Sequence, residues 1–504
     1  MAFNWNRRSS VQLLGVTVIM AFRDLRAFIE EAEKIGEVAK VLGADTHSEI
    51  GPITEITAWS PEHPMILFDE IDGYPIGWRI AVHSLDSYKR MQLVYGFPDG
   101  IKGIELTRWW KNKLDHFVPV GFKEVEDGPV FESIQTGDDV NLYEFPAPLW
   151  HQKDAGPYLI SGGATVLKDP ETGKLNVGCY RGMLYDRNTL GHHLAAGHNG
   201  QVIRDKYFAL GKNCPVAVSL GHDPSFQVAA SEGVGFNENE FEFGGFLRGE
   251  PYEVVRGPLT GLPFLSTSEI VLEGEILHPD NEPQRVEAPW GEAHGYYSSG
   301  FPQPPLRINA VYRRDNPIIL GDPTLRYKNR GAAGGFPKLA RAWHMLELSG
   351  LEGIKGVGRV GPYFVISIKQ YYSGQALRIA DYAMSGLGDR PPRFLVLVDD
   401  DIDPNNRNQV EWAISTRMDP ASQIHIQRER WTSPPNPAGL TPEKRTIEDY
   451  TVGTMIIDAC KPFRWREDWD KMFLLSDIDE KLRKQTADKW SPVLGQFITE
   501  PKPR

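Results

Sequence analysis

The apolar positions near the start of the chain recur with a helical period. Leu25, Phe28, Ile29, Ala32 and Ile35 share one face of a helix that Gly36 closes. The unbroken apolar run at 64–68 reads instead as a buried strand, with Asp72-Gly73-Tyr-Pro75 as the turn behind it. A further helix is predicted near 104–114. From about Val130 to Tyr312 the texture changes. Strand-like runs at 164–167, 175–180, 216–220, 269–277 and 307–312 are separated by Gly and Pro, the pattern of a barrel or sandwich. After Pro323 a helix at 337–348 is followed by alternating strand (363–369, 394–398) and helix (375–385, 405–416). That alternation implies parallel βαβ units.

Composition narrows the class. With 41% apolar and 24% charged residues over 504 positions, the chain is globular rather than disordered. Lys and Arg number 55 against 67 Asp and Glu, a net charge of −12 that repels phosphate backbones and argues against a nucleic-acid partner. The three cysteines, Cys179, Cys214 and Cys460, form no paired motif, which fits a reducing cytoplasm. No stretch reaches the ~20 apolar residues of a membrane span. The nearest, residues 11–20, follows Arg7-Arg8 but lacks a small-residue cleavage site. Met20 is therefore read as the natural start and residues 1–19 as an upstream extension, with an export signal as the alternative.

Four clusters carry candidate chemistry. In Asn176-Val-Gly-Cys-Tyr-Arg181, strand alternation puts Asn176, Gly178 and Tyr180 on one face and Arg181 on the other, so a bend is needed before Asn176 and Arg181 serve one pocket. By itself the stretch also fits an edge strand with a solvated arginine. In Ala195-Ala-Gly-His198-Asn-Gly200, flanking glycines let the backbone approach a ligand, although a hydrogen-bonded histidine is equally served and His192 and His193 compete. Asn239-Glu240-Phe-Glu242 reads as a strand with both glutamates on one face, or as surface acid residues. An Asn, His and Glu set suits manganese or magnesium rather than zinc. In Glu287-Ala-Pro-Trp-Gly-Glu292-Ala-His294, Pro289 and Gly291 stiffen a turn that can bring two carboxylates together. If Arg181 pairs with Glu287, Glu292 in a pocket lined by Trp290 is expected to have the raised pKa of a general acid.

Together with Gly137-Asp-Asp-Val140, Pro146-Ala-Pro-Leu-Trp-His151, Thr267–Gly274, Leu395–Asp403 and Ile457-Asp-Ala-Cys-Lys461, these clusters resemble the UbiD family of decarboxylases. The resemblance implies a mixed α/β (α+β) fold: an N-terminal α/β domain at 20–130, a central split β-barrel flavin domain at 131–322, and at 323–504 a linker helix with a C-terminal α/β oligomerisation domain. It implies prenylated flavin mononucleotide (prenylated FMN) as cofactor, supplied by a flavin prenyltransferase, with Mn2+ (or Mg2+) held by Asn176, His198 and Glu240, and a nearby K+. It implies flavin contacts at Gly178, Tyr180, Arg181, Ala230 and Ser231, with Arg390 or Arg393 standing where many members carry a phosphate-binding lysine. It implies a catalytic network of Arg181, Glu287 and Glu292, in a homodimer or homohexamer.

Loss of carbon dioxide from an aryl or alkenyl carbon leaves a carbanion that no side chain can delocalise, so a cofactor must act as electron sink. The expected function is thus reversible, non-oxidative decarboxylation of an aromatic, heteroaromatic or α,β-unsaturated acid. Within the family the alternative is a polyprenyl-hydroxybenzoate decarboxylase of quinone biosynthesis. The polar run Asp322-Pro-Thr-Leu-Arg326-Tyr-Lys-Asn-Arg330 speaks for a compact polar substrate, or is a solvated loop. Outside the family, the Glu287 and Glu292 pair could serve a glycoside hydrolase with no flavin.

Overall fold

The first helix, Leu25–Lys34, forms as its pattern dictates. The Asp24 carboxylate accepts the Ala27 N–H at 2.8 Å, and Leu25, Phe28, Ile29 and Ala32 are buried. They pack with Met65, Leu67 and Ala81 of a four-stranded sheet ordered Val38–Leu42, Met65–Asp69, Arg79–Val82, Ile318–Gly321. This computed structural model describes residues 22–232, 239–298, 300, 302–326, 335–387, 392–431, 439, 441–447, 449–476, 478–495 and 497–498. The expected extension at 1–19 and the candidate phosphate ligand Arg390 lie outside the described residues.

The last strand of that sheet, Ile318–Gly321, enters from beyond the central block and pairs parallel with Arg79–Val82. The first and central blocks therefore interlock. Buried Glu269 fastens them further: Arg26 donates to it twice at 2.8 Å and Arg314 once at 3.2 Å.

The central sheet has nine strands, eight on one path and Ser133–Thr136 paired beside Pro305–Arg313, and its order is what makes the site. The path runs Tyr158–Ile160, Gly182–Asp186, Thr189–His192, Pro305–Arg313, Ile270–Ile276, Cys214–Leu220, Ala164–Lys168, Leu175–Cys179. Leu175–Cys179 is thus one end, while the next strand in sequence, Gly182–Asp186, lies second from the other end. Only Tyr180 and Arg181 connect them, so the sheet curls until its two ends approach and leaves a gap between. This is the half-barrel that the sequence led us to expect, and the bend required after Asn176 is the gap itself.

Three helices interrupt the strands, Asn199–Ala209, Pro224–Ser231 and Glu240–Arg248, where the sequence reading placed mainly strands. The stretch beginning at Glu240 is a helix, not the expected strand. Asn239 caps it, its Oδ1 accepting the Phe241 N–H at 2.9 Å, and Gly249 at φ 80° ends it. Glu240 is consequently buried while Glu242 turns away from it, so the two do not share a face.

The Phe336–Leu348 helix joins the parts. Phe336 and Ala340 enter the N-terminal core, and Leu339, Ala342, Trp343 and Leu346 enter the C-terminal one. There a five-stranded sheet runs Ile354–Val360, Tyr363–Ile368, Phe394–Asp399, Thr451–Asp458, Ile424–Trp431. The middle three strands are parallel, as the strand–helix alternation predicted, and both edge strands are antiparallel. Beyond it the Glu480–Leu494 helix buries none of its residues. Among the described residues no helix is long and apolar enough to cross a membrane.

Candidate active site

Two groups of side chains face the gap. The first gathers on Leu175–Cys179, against which the helices Asn199–Ala209, Pro224–Ser231 and Glu240–Arg248 all pack. The Tyr180 ring folds back over Gly178, where a Cβ would stand 2.7 Å from it, and also fills the space beside Gly200. Its hydroxyl accepts the Gly200 N–H at 3.1 Å. Burial pushes the Tyr180 phenol up to about 12, with Asn176 and Glu240 both close enough to act on it. The expected Asn176, Glu240 and His198 loop are thus neighbours of one tyrosine. His198 is the N-cap of Asn199–Ala209, and Glu240 is the first residue of its own helix. Asn176 Nδ2 is buried with no hydrogen-bond partner among the described residues. Ala230 is buried and Ser231 exposed at the end of Pro224–Ser231. From the C-terminal sheet, Trp431 closes against Gly197, where a Cβ would lie 2.9 Å from its ring.

The second group is the network around Arg181. Its Nε donates to Glu287 Oε1 at 2.8 Å and its Nη2 to Glu287 Oε2 at 3.1 Å, a bidentate pair. Nη1 donates to Glu292 Oε1 at 2.5 Å. The guanidinium lies 5.8 Å from the centre of the Trp290 ring, which itself packs on Tyr158 at 4.2 Å. Both glutamates and the arginine expected to act together are therefore in direct contact. Arg181 also fills the space between the two carboxyls, where a glycoside hydrolase would need room for sugar and water.

Burial raises the Glu287 carboxyl, with Arg181 opposing that shift. Glu287 is 1% exposed. The Arg181 guanidinium, though buried, is held above its ordinary range by the two glutamates.

Three further residues join the network, and of these only His193 stands out in the sequence, as a rival to His198. The Tyr158 phenol, pushed up by burial and then by Glu287, stands beside that carboxyl. His193 Nδ1 lies 3.8 Å from Glu287 Oε2, and burial and then Arg181 keep this imidazole neutral by lowering its pKa far below the usual range. Ser298 Oγ accepts the Trp290 N–H at 3.1 Å and sits 3.5 Å from Arg181 Nη2. His192 is structural instead: burial pushes it down to about 4, and it bonds Thr165 Oγ1 at 3.1 Å and the Arg181 carbonyl at 3.2 Å. Of the two candidate phosphate ligands, Arg393 precedes Phe394–Asp399 and lies over the Phe394 ring at 5.3 Å.

Known proteins share this architecture. Residues 123–325 match the family described as 3-octaprenyl-4-hydroxybenzoate carboxy-lyase Rift-related domain, and residues 340–459 its C-terminal domain. A phenolic acid decarboxylase of Bacillus subtilis (strain 168) is 30% identical over 466 residues, covering 88% of this chain and 93% of the relative. The vanillic acid decarboxylase of Sedimentibacter hydroxybenzoicus in its closed form superposes with a TM-score of 0.82 at 27% identity, over 94% of this chain and 99% of that one. An evolved dimeric form of the UbiD-class enzyme HmfF from Pelotomaculum thermopropionicum, in complex with prFMN, shares the fold at 22% identity and a TM-score of 0.74, over 93% of this chain and 100% of that one. The split nine-stranded sheet, the Arg181 network at its gap and a relative matched over nearly its whole length lead to one conclusion: the chain belongs to the UbiD family of carboxy-lyases.

Proposed function

We propose that the chain decarboxylates a compact phenolic acid with prenylated FMN bound across the sheet gap. The observation that carries this reading is Arg181 held between Glu287 and Glu292. A carboxylic acid needs a guanidinium to bind it and a proton to replace the departing carbon dioxide, and both are present within one network. The polar segment at 322–326 supports a compact substrate over a polyprenylated one. Its Thr324 Oγ1 donates to the Gly291 carbonyl at 2.6 Å, and the Arg326 stem lies against Gly295, so it sits on the turn that carries Glu292.

The residues on and around Leu175–Cys179 would hold a flavin phosphate together with a divalent ion. Asn176, His198 and Glu240 supply the oxygen and nitrogen donors that manganese or magnesium takes. Two helix N-termini, with His198 and Asn239 at their N-cap positions, would offer amides to the phosphate. Bound there, the flavin supplies the electron sink that the carbanion requires. Arg181 orients the acid through Nη1, displacing Glu292 from that nitrogen while Glu287 keeps the other edge of the guanidinium fixed. Released from the guanidinium, Glu292 takes up the proton that accompanies the incoming acid and would return it to the carbon that loses carbon dioxide. Trp290 and Tyr158 exclude water from the network.

The test uses protein co-produced with a flavin prenyltransferase. The expected result is a flavin absorbance band, bound manganese by elemental analysis, and carbon dioxide release from phenolic acids. Asn176→Ala and Glu240→Ala should lose metal at least as strongly as the ~10–100-fold that outer-shell changes cost. Protein that carries neither flavin nor metal and turns over no phenolic acid would refute the reading.

The proposed enzyme is a homo-oligomer, and its unpaired cysteines fit a cytoplasmic setting. Leu482, Trp490, Val493, Leu494 and Phe497 are exposed on and just beyond the Glu480–Leu494 helix, a surface that a second copy covers. Light scattering should report at least a dimer for the full chain and a monomer once residues 479–504 are removed. An unchanged mass after truncation would assign assembly to another face.

A further inference from the structure

The Pro146-Ala-Pro-Leu-Trp-His151 motif has no part in the network described so far, yet its histidine sits directly behind it. His151 Nδ1 contacts the Asp154 carboxylate at 3.1 and 3.0 Å, and Nε2 contacts the Thr324 carbonyl at 2.8 Å. A backbone carbonyl only accepts. The Asp154 oxygens already accept backbone N–H groups, Oδ1 from Gly291 at 2.9 Å and Oδ2 from His151 at 2.9 Å. Both ring nitrogens of His151 must then donate, which only the imidazolium can do.

The ring is also wedged against the proton-donor turn. A Cβ on Gly291 would stand 2.4 Å from the imidazole, and the Trp290 ring meets it edge-on at 5.0 Å. Trp290 Nε1 donates to Thr324 Oγ1 at 2.9 Å, and the Ala155 N–H donates to the Pro289 carbonyl at 2.8 Å. One cation thus ties three pieces: its own loop, the 289–292 turn, and the 322–326 segment.

We infer that His151 is a positioning residue of the decarboxylase, an imidazolium that fixes Glu292 and the substrate-facing 322–326 segment relative to Arg181. This inference rests on the function proposed above. Loss of either ring proton would set a lone pair against the Thr324 carbonyl or the Asp154 carboxylate, and the tie would open. Burial disfavours the charged ring, but Asp154, the Thr324 carbonyl and more distantly Glu55 outweigh it and raise His151 above its ordinary range. The titratable and charged groups of the elements packed around it are Asp154 and Lys153 on its own loop, Glu55 on the Ile50–Thr57 helix, Glu292, His294 and Tyr297 (ring 6.4 Å away) on the turn, and Asp322 and Arg326 on the segment beyond. Because the folded pKa is raised, the tie is present at low pH and is lost as pH rises through that value, above the ~6.5 of a free histidine.

The experiment pairs turnover with a direct view of the ring in the flavin-loaded holoenzyme. In histidine-15N-labelled protein at pH 7, one imidazole should show both nitrogens protonated, and that signal should vanish in His151→Gln. The wild-type kcat should fall by roughly tenfold to a hundredfold as that imidazole titrates, the scale of a small misplacement of reacting groups. Asp154→Asn should move this alkaline limb to lower pH, and His151→Gln should abolish it, leaving lower but flat turnover there. A role in folding alone would lower activity at every pH and leave the limb in place. A neutral His151 at pH 7, or a limb unmoved in Asp154→Asn, overturns the inference even if His151→Gln fails to fold. A wild-type holoenzyme inactive at every pH would instead sink the proposed function, while the labelled spectrum would still decide the state of His151.

Discussion

Glu292→Gln is expected to cut turnover by ~10²–10⁴-fold, the usual contribution of a positioned proton donor. Glutamine preserves the size of the side chain and an oxygen that can accept from Arg181 Nη1, now 2.5 Å from Glu292 Oε1. What it cannot do is release a proton to carbon. Glu292 makes none of the contacts on Leu175–Cys179 proposed to hold flavin and metal, so the variant should keep its flavin absorbance and its manganese. KM should change little, because the guanidinium that binds the acid is retained. Exchange of solvent deuterium into the product isolates the step. If Glu292→Gln exchanges that hydrogen at the native rate, the proton comes from another group, and the buried carboxyl of Glu287 is the next candidate.

The proposed proton donor, Glu292, stands out in the sequence because Pro289 and Gly291 stiffen the turn between two glutamates. The network geometry followed from strand order, which no local pattern encodes. Only two residues separate Leu175–Cys179 from Gly182–Asp186 in sequence, and only the curling of a nine-stranded sheet shows them to be opposite sides of a gap. The helix at Glu240 was misread for a different reason. Glu-Phe-Glu-Phe alternates like a strand, but the Asn239 cap and the Gly249 terminus decide for a helix, and tertiary burial of Phe241, Phe243 and Leu247 completes it. His193, Tyr158 and Ser298 reach the network from separate strands and loops, a convergence that sequence spacing cannot report. His151 was visible as part of a motif, but its role depends on Thr324 lying 173 positions away.

Arg181→Ala should have the larger effect, because it removes substrate binding and strands a buried charge together. The Arg181 side chain is 12% exposed and that of Glu287 is 0% exposed. Breaking such a pair from one side typically costs ~3–5 kcal/mol, since the remaining charge has lost its partner. Glu287 can escape that cost by taking up a proton. Its pKa is already raised by burial, and without Arg181 the main force opposing that shift is gone. The sign follows from linkage. A carboxyl whose folded pKa lies above its unfolded value contributes stability at low pH, and that stability is lost as pH rises through the folded value. Arg181→Ala should therefore melt at a lower temperature than the parent, and the gap should widen from mildly acidic to mildly alkaline buffer. Adding Glu287→Gln should remove the pH dependence and recover part of the stability, while leaving the enzyme unable to bind its acid. If the single and double variants show the same melting temperature at every pH, Glu287 is not the stranded charge. The guanidinium would then act on substrate alone, and the loss of kcat/KM would stand without a loss of fold.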